Sequence, residues 1–230
     1  MAVTRRFILF DIDGTLTDSA GAGRRALNLA MGEVTGLEDS FRGVGFAGKT
    51  DLQIIREGLE EHGLETRDSM ISTLAARYLV HLRREVAKGG GHVKVGVREL
   101  LQTLQKTDTH VLGLLTGNLE EGARIKLEAF ELNRFFPVGA YGSDAEDRNL
   151  LLPIALRRLR EQLGLPLRPC DCVVIGDTPK DVDCARIHGA PSIAVATGPI
   201  PLEILRETGA DLILADLSDT AGIMDWIQRF

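Results

Sequence analysis

Cysteine, long apolar runs and clustered positive charge are all scarce in this sequence, and each shortage excludes something. Three cysteines, Cys170, Cys172 and Cys184, cannot all pair within one chain and suit a reducing compartment. Cys170-x-Cys172 resembles half a metal site, yet no second Cys/His pair lies near it, so small core residues are the better reading. The five histidines show no metal-ligand spacing either. The apolar stretch nearest the start, residues 7–10, is far too short for a signal peptide or a membrane span, which makes the cytoplasm the expected location. The formal net charge is −6 and no basic run appears, which argues against a nucleic-acid partner. A small phosphorylated metabolite is still allowed, because local cations in a site matter more than the total.

What is present is alternation. Residues 7–10, 111–115, 172–175 and 192–196 read as short buried strands. Between them run helical faces: Val97, Leu100, Leu101 and Leu104; Leu119, Ala123, Leu127 and Phe130; Leu152, Ala155, Leu156, Leu159 and Leu163. That order predicts an α/β fold, a parallel sheet with helices on both faces. Residues 18–91 interrupt it with three successive helical patterns and no clear strand. The first is Ala26, Leu27, Ala30, Met31 and Val34, the second Leu52, Ile55 and Leu59, the third Ile71, Leu74, Tyr78 and Leu82. Gly89-Gly90-Gly91 closes the stretch. An all-helical insertion after the first strand would lie over the strand ends, where open α/β folds bind ligands. The expected organisation is a core of residues 1–17 and 92–230 with a helical cap of residues 18–91.

Polar clusters end three of the strands. The first runs into Asp11-Ile12-Asp13-Gly14-Thr15, whose two carboxylates, spaced by two, point to one side of an extended segment. Such a pair can divide labour between attack or metal binding and proton transfer. Alone it also fits a solvated turn; a calcium loop lacks the further ligands and terminal Glu. Thr116-Gly117-Asn118 ends the second strand and offers a hydroxyl and amide cradle for an oxyanion, or a cap for the helix beginning near Leu119. Gly176-Asp177-Thr178-Pro179-Lys180-Asp181 ends the next, placing a carboxylate after an apolar strand where a cation or donor is needed, or an N-cap. In a parallel sheet the three clusters converge.

Taken together, these motifs resemble the haloacid dehalogenase-like superfamily, in particular phosphoglycolate phosphatase-like members with a helical cap on a Rossmann-like core. The resemblance implies that Asp11 attacks phosphorus and that Asp13 is the general acid and base. It implies Mg²⁺ held by Asp11, Asp13 (through its backbone carbonyl) and Asp177, with Asp181 in support. Thr116 and Gly117 would hold phosphoryl oxygens, and Asn118 stands in the same motif. The family's usual Lys is missing between residues 142 and 153; Arg148 is the best stand-in, and Lys126 a weaker one because it lies mid-helix. The implied reaction is hydrolysis of a small phosphomonoester by a monomer or homodimer.

Two lookalikes and several rivals remain at this stage. Residues 43–50 satisfy a nucleotide P-loop pattern but follow a polar, broken stretch rather than a strand, and residues 21–26 mimic a dinucleotide motif equally out of context. Lys49 at a cap helix start could instead meet a substrate's leaving group, or form the Schiff base of a phosphonoacetaldehyde hydrolase-like P–C bond hydrolase. A hexose-phosphate mutase is a further rival. A hydrolytic dehalogenase would not need Asp13 or the magnesium carboxylates. A non-catalytic binding protein of this fold would have no reason to keep Asp11, Asp13, Thr116 and Asp177 together.

Overall fold

A computed structural model describes residues 5–107, 109–164 and 166–229. The strands are β1 (Arg6–Phe10), β2 (Thr17–Asp18), β3 (His92–Val93), β4 (His110–Thr116), β5 (Val138–Tyr141), β6 (Cys172–Gly176), β7 (Ser192–Val195) and β8 (Leu212–Leu214). The helices are α1 (Ala22–Thr35), α2 (Asp51–Glu61), α3 (Asp68–Ala87), α4 (Val97–Gln105), α5 (Glu120–Glu128), α6 (Leu151–Leu163), α7 (Pro179–Ile187), α8 (Leu202–Arg206) and α9 (Thr220–Gln228). Six strands form one all-parallel sheet in the order β5-β4-β1-β6-β7-β8.

The apolar run of β1 follows from burial on both faces. Ile8 and Phe10 pack with residues of α4, α5 and α9 on one side, and Phe7 and Leu9 with α6 and α7 on the other. Central position follows too, since β1 pairs with β4 along one edge and β6 along the other. Phe10 stands opposite Leu114 of β4 and Ile175 of β6, and those strands run on by two residues and one, so all three end at the same edge of the sheet. The chain leaves β1 for β4 and β5 on one flank and later fills the other with β6, β7 and β8. This reversal of strand order opens a crevice at the carboxyl ends.

The four expected strands are all present. β5 and β8 were not foreseen, being four and three residues long; segments so short carry little periodicity to read. Between β2 and β3 the described residues form α1, α2 and α3 and no strand. These helices share a core built from Ala26, Leu27, Met31, Ile55, Leu59, Leu74, Tyr78 and Leu82. Ile54, rather than Leu52, joins Ile55 and Leu59 on the buried side of α2. Thr50 caps α2 by accepting from the Gln53 amide at 3.2 Å, and no strand precedes it within residues 36–50, so the P-loop resemblance ends there. β2 and β3 pair antiparallel, which brings the two ends of the helical stretch together. Leu119 and Ile125 contribute to the same apolar cluster, seating the three helices against the sheet's carboxyl edge. Among the described residues no helix is long and apolar enough to cross a membrane.

The cysteines are all unpaired; Cys172 and Cys184 are buried and Cys170 is exposed. Burial pushes the Cys172 thiol up to about 12 and the Cys184 thiol up to about 11. Both therefore stay protonated and inert at neutral pH. An aromatic disulfide reagent at pH ~8 is expected to label one thiol per native chain, at Cys170, and all three in denaturant. Fast native labelling of Cys172 or Cys184 would contradict this packing.

Candidate active site

The sheet's carboxyl edge carries more negative charge than it can hold unaided. Asp11 directly follows β1, its amide donating to the Ile175 carbonyl at 2.9 Å. Asp177 directly follows β6, and Asp181 lies in the first turn of α7. All three are buried, and one carboxylate oxygen of each lies within 4.8 Å of the others. Burial pushes the Asp11 carboxyl up to about 6; Arg148 opposes this, while Asp181 and Asp13 add to it. Asp177 is pushed well up by burial first and then by Asp11 and Asp181.

Local chemistry explains how each group is placed. Gly14 turns with φ near +86°, and a side chain there would strike Asp177, its Cβ falling 2.3 Å from Oδ2. Thr15 Oγ1 donates to Asp177 Oδ1 at 3.0 Å. Asp181 closes a reciprocal capping box with Thr178: its Oδ2 accepts from the Thr178 amide at 3.0 Å and hydroxyl at 2.7 Å. Its other oxygen accepts from Arg148. Asp181 thus caps α7 and pairs with Arg148 at once.

Arg148 opens a short 3₁₀ turn ahead of α6 and is buried with its Nη2 3.2 Å from Asp11 Oδ1. Although burial works the other way, Asp181 and Asp11 keep its pKa above the ordinary arginine range. It therefore stands where the family Lys was sought. Lys126, ranked lower from the sequence, is equally buried and reaches the other carboxylate: its Nζ lies 2.6 Å from Asp13 Oδ2. The signal that could have found it is a charge inside the buried stripe of α5, beside Ala123, Ile125 and Leu127.

Asn118 donates from Nδ2 to Asp13 Oδ2 at 2.8 Å and to Thr116 Oγ1 at 2.9 Å. The amides of Asn118 and Leu119 donate to Thr116 Oγ1 and Asp51 Oδ2, so both are engaged within the protein. Asp51 was not singled out beforehand for this contact. Burial pushes its carboxyl up to about 6, against the pull of Lys126. Its own amide donates to the Gly117 carbonyl at 2.7 Å, and the Lys49 carbonyl passes so near Gly117 that a Cβ there would lie 2.1 Å from it. Glycine is required at that crossing. The Lys49 ammonium pairs with Glu57 on α2.

Asp11, Asp13, Lys49, Gly117, Asn118, Lys126, Arg148 and Asp177 all line one cavity of about 500 Å³ between the strand ends and the three helices. Does its floor suit a cation? Asp177 Oδ2 is buried and has no hydrogen-bond partner among the described residues. Gly14 and Gly198 flank that oxygen, and a Cβ on Gly198 would fall 1.7 Å from it. The three clustered carboxylates, Asp11, Asp177 and Asp181, are met by one cation, Arg148, leaving a deficit of two positive charges. Hard oxygen ligands short of two charges fit a divalent ion of the magnesium type.

Comparison with known proteins agrees with this geometry. The family profile of haloacid dehalogenase-like hydrolases matches residues 6–189. The phosphoglycolate phosphatase of Rhodospirillum rubrum is 29% identical over 228 residues, covering 96% of this chain and 90% of that protein. That of Pseudomonas savastanoi pv. phaseolicola is 27% identical over 218 residues, covering 92% and 77%. Crystalline CbbY from Rhodobacter sphaeroides in complex with phosphate superposes with a TM-score of 0.73 at 19% identity, covering 94% of this chain and 96% of that one. Fold and site thus define a parallel α/β hydrolase with its carboxylates at the strand switch. The chain belongs to the haloacid dehalogenase-like hydrolases, and its likeness within them runs to the phosphatases.

The charge deficit has a sign that can be measured. Without divalent ions, Asp177→Asn is expected to melt higher than the natural protein by a few degrees, ~1 kcal/mol, because one mutually repelled charge is gone. Mg²⁺ at about 100 times its dissociation constant should stabilise the natural protein by about 2.7 kcal/mol and the variant by far less. Thermal melts with EDTA or Mg²⁺ check both halves. A lower melting point for Asp177→Asn in EDTA, with an undiminished Mg²⁺ shift, would contradict the assignment.

Proposed function

We propose that the protein is a Mg²⁺-dependent phosphatase that hydrolyses a small phosphomonoester, of the phosphoglycolate type, through a phosphoryl group carried on Asp11. The observation that carries this reading is the buried meeting of Asp11, Asp177 and Asp181 around an unpartnered Asp177 oxygen, with Arg148 against Asp11. Asp11, the Asp13 backbone carbonyl and Asp177 would hold the ion, with Asp181 in support. When bound, Mg²⁺ supplies the charge that lets a carboxylate and a phosphate dianion approach each other.

The chain's own groups do the rest. Arg148 fixes Asp11 for in-line attack and offers a planar cation to the phosphoryl oxygens. Thr116 and the Gly117 amide hold the transferring group. Asp13 protonates the departing oxygen as the P–O bond breaks, then takes a proton from the water that cleaves the Asp11 phosphoryl bond. Residues 18–91 act as a cap whose loop from Phe46 to Asp51 roofs the cavity, and Lys49 meets the leaving group there. The pairing of Lys49 with Glu57 favours this role over Schiff-base chemistry. A soluble cytoplasmic enzyme, monomer or homodimer, fits the unpaired cysteines.

Asp11→Asn is expected to keep the fold and lose at least ~10³-fold in turnover of p-nitrophenyl phosphate with Mg²⁺. Acid-quenched natural enzyme should carry the added mass of one phosphoryl group on the peptide containing Asp11. Undiminished turnover in Asp11→Asn, or label on another residue, would rule out this role.

A further inference from the structure

Asp13 is gripped more firmly than a carboxylate on a cavity wall needs to be. Lys126 Nζ donates to Asp13 Oδ2 and to Asn118 Oδ1, each at 2.6 Å, and Asn118 Nδ2 donates to the same Asp13 oxygen at 2.8 Å. The three side chains close a ring, and both bonds to Asp13 fall on Oδ2. The Lys126 side chain is 5% exposed whereas that of Asp13 is 42% exposed, so the clamp is sealed and the carboxylate keeps an open side. All three residues line the cavity.

Two cap helices pack over that ammonium. Gly23 of α1 and the Tyr78 hydroxyl of α3 both lie beside Lys126, a Cβ on Gly23 falling at ordinary contact distance, 3.7 Å, from Lys126 Nζ and from the hydroxyl. Asp51 adds a second negative charge beside it. A buried ammonium is expensive, and a neutral side chain would fill this stripe of α5 with less desolvation. Arg148 already serves Asp11 and Asp181, and of the two carboxylates beside Lys126 it is Asp13 that the ammonium hydrogen-bonds directly.

We propose that Lys126 is a positioning residue: with Asn118 it clamps one oxygen of Asp13 so that the other is presented to the departing ester oxygen. The inference rests on the phosphatase reading above. In the step concerned, the Asp11–phosphorus bond forms, the ester P–O bond breaks, and the proton of Asp13 passes to the departing oxygen. Lys126 keeps its protons throughout and touches neither phosphorus nor the departing atom.

Such a role has a signature that a structural lysine lacks. A proton donor matters most when the departing oxygen is strongly basic and little when it is not. Aryl phosphates from phenyl to p-nitrophenyl vary that basicity at nearly constant shape, and kcat/KM reports the step that releases the phenol. For Lys126→Met, kcat/KM is expected to fall about 100-fold on phenyl phosphate and less than about fivefold on p-nitrophenyl phosphate. The natural enzyme should show a shallow dependence on leaving-group pKa and the variant a steep one. Lys126→Arg should restore part of the phenyl phosphate activity. Asn118→Ala, which removes one strand of the clamp and keeps the buried charge, should steepen the same plot. An equal loss across the series in both Lys126→Met and Asn118→Ala, or no loss, overturns the proposal. A natural enzyme inactive on every ester with Mg²⁺ would instead overturn the phosphatase reading, a result distinct from a flat series.

Discussion

Mutual repulsion among buried carboxylates at the end of β1 is the constraint on which the rest of the structure depends. Burial and neighbouring charges push Asp11 and Asp177 toward neutrality, yet both are fixed by the backbone within 4.8 Å of Asp181. Such an arrangement stores unfavourable electrostatic energy unless a cation offsets it. The sheet is what holds it in place. β1, β4 and β6 are adjacent, parallel and in register, so their ends cannot relax apart without breaking strand pairing.

The two protein cations divide the work. Arg148 binds Asp11 and Asp181, and Lys126 binds Asp13. A planar guanidinium suits a position between two carboxylates, and a compact ammonium with three donors suits the corner between Asp13 and Asn118. The helices α1 to α3 complete the enclosure. Asp51 ties their loop to Gly117 and Leu119, and Thr50 ties it to the Glu146 carbonyl at 2.7 Å. Roof and floor of the cavity thereby meet through hydrogen bonds rather than through apolar contact alone.

Much of this was legible in the sequence, for definite reasons. Strands buried on both faces leave continuous apolar runs, and each of the three strands nearest the site ends in a turn motif whose glycine is sterically required, as Gly14, Gly117 and Gly176 are. The helices of residues 18–91 announced themselves by periodicity. Arg148 could be found as the cation nearest the expected place. Lys126 was underrated because a mid-helix lysine usually faces solvent, and its burial depends on α1 and α3 closing over α5, which no local pattern states. Asp51 looked like part of a helix start, and only the folded chain brings its carboxylate to the Leu119 amide. β5 and β8 escaped notice because their burial is set by neighbours rather than by their own few residues.

The central claim is that the carboxylates of Asp11 and Asp177 share one divalent ion. Mn²⁺ can stand in for Mg²⁺ at an all-oxygen site and scatters anomalously. Crystals grown with Mn²⁺ and measured near its absorption edge should show a single strong anomalous peak at bonding distance from both carboxylates. A peak placed elsewhere, or none between those two side chains at saturating Mn²⁺, would contradict it.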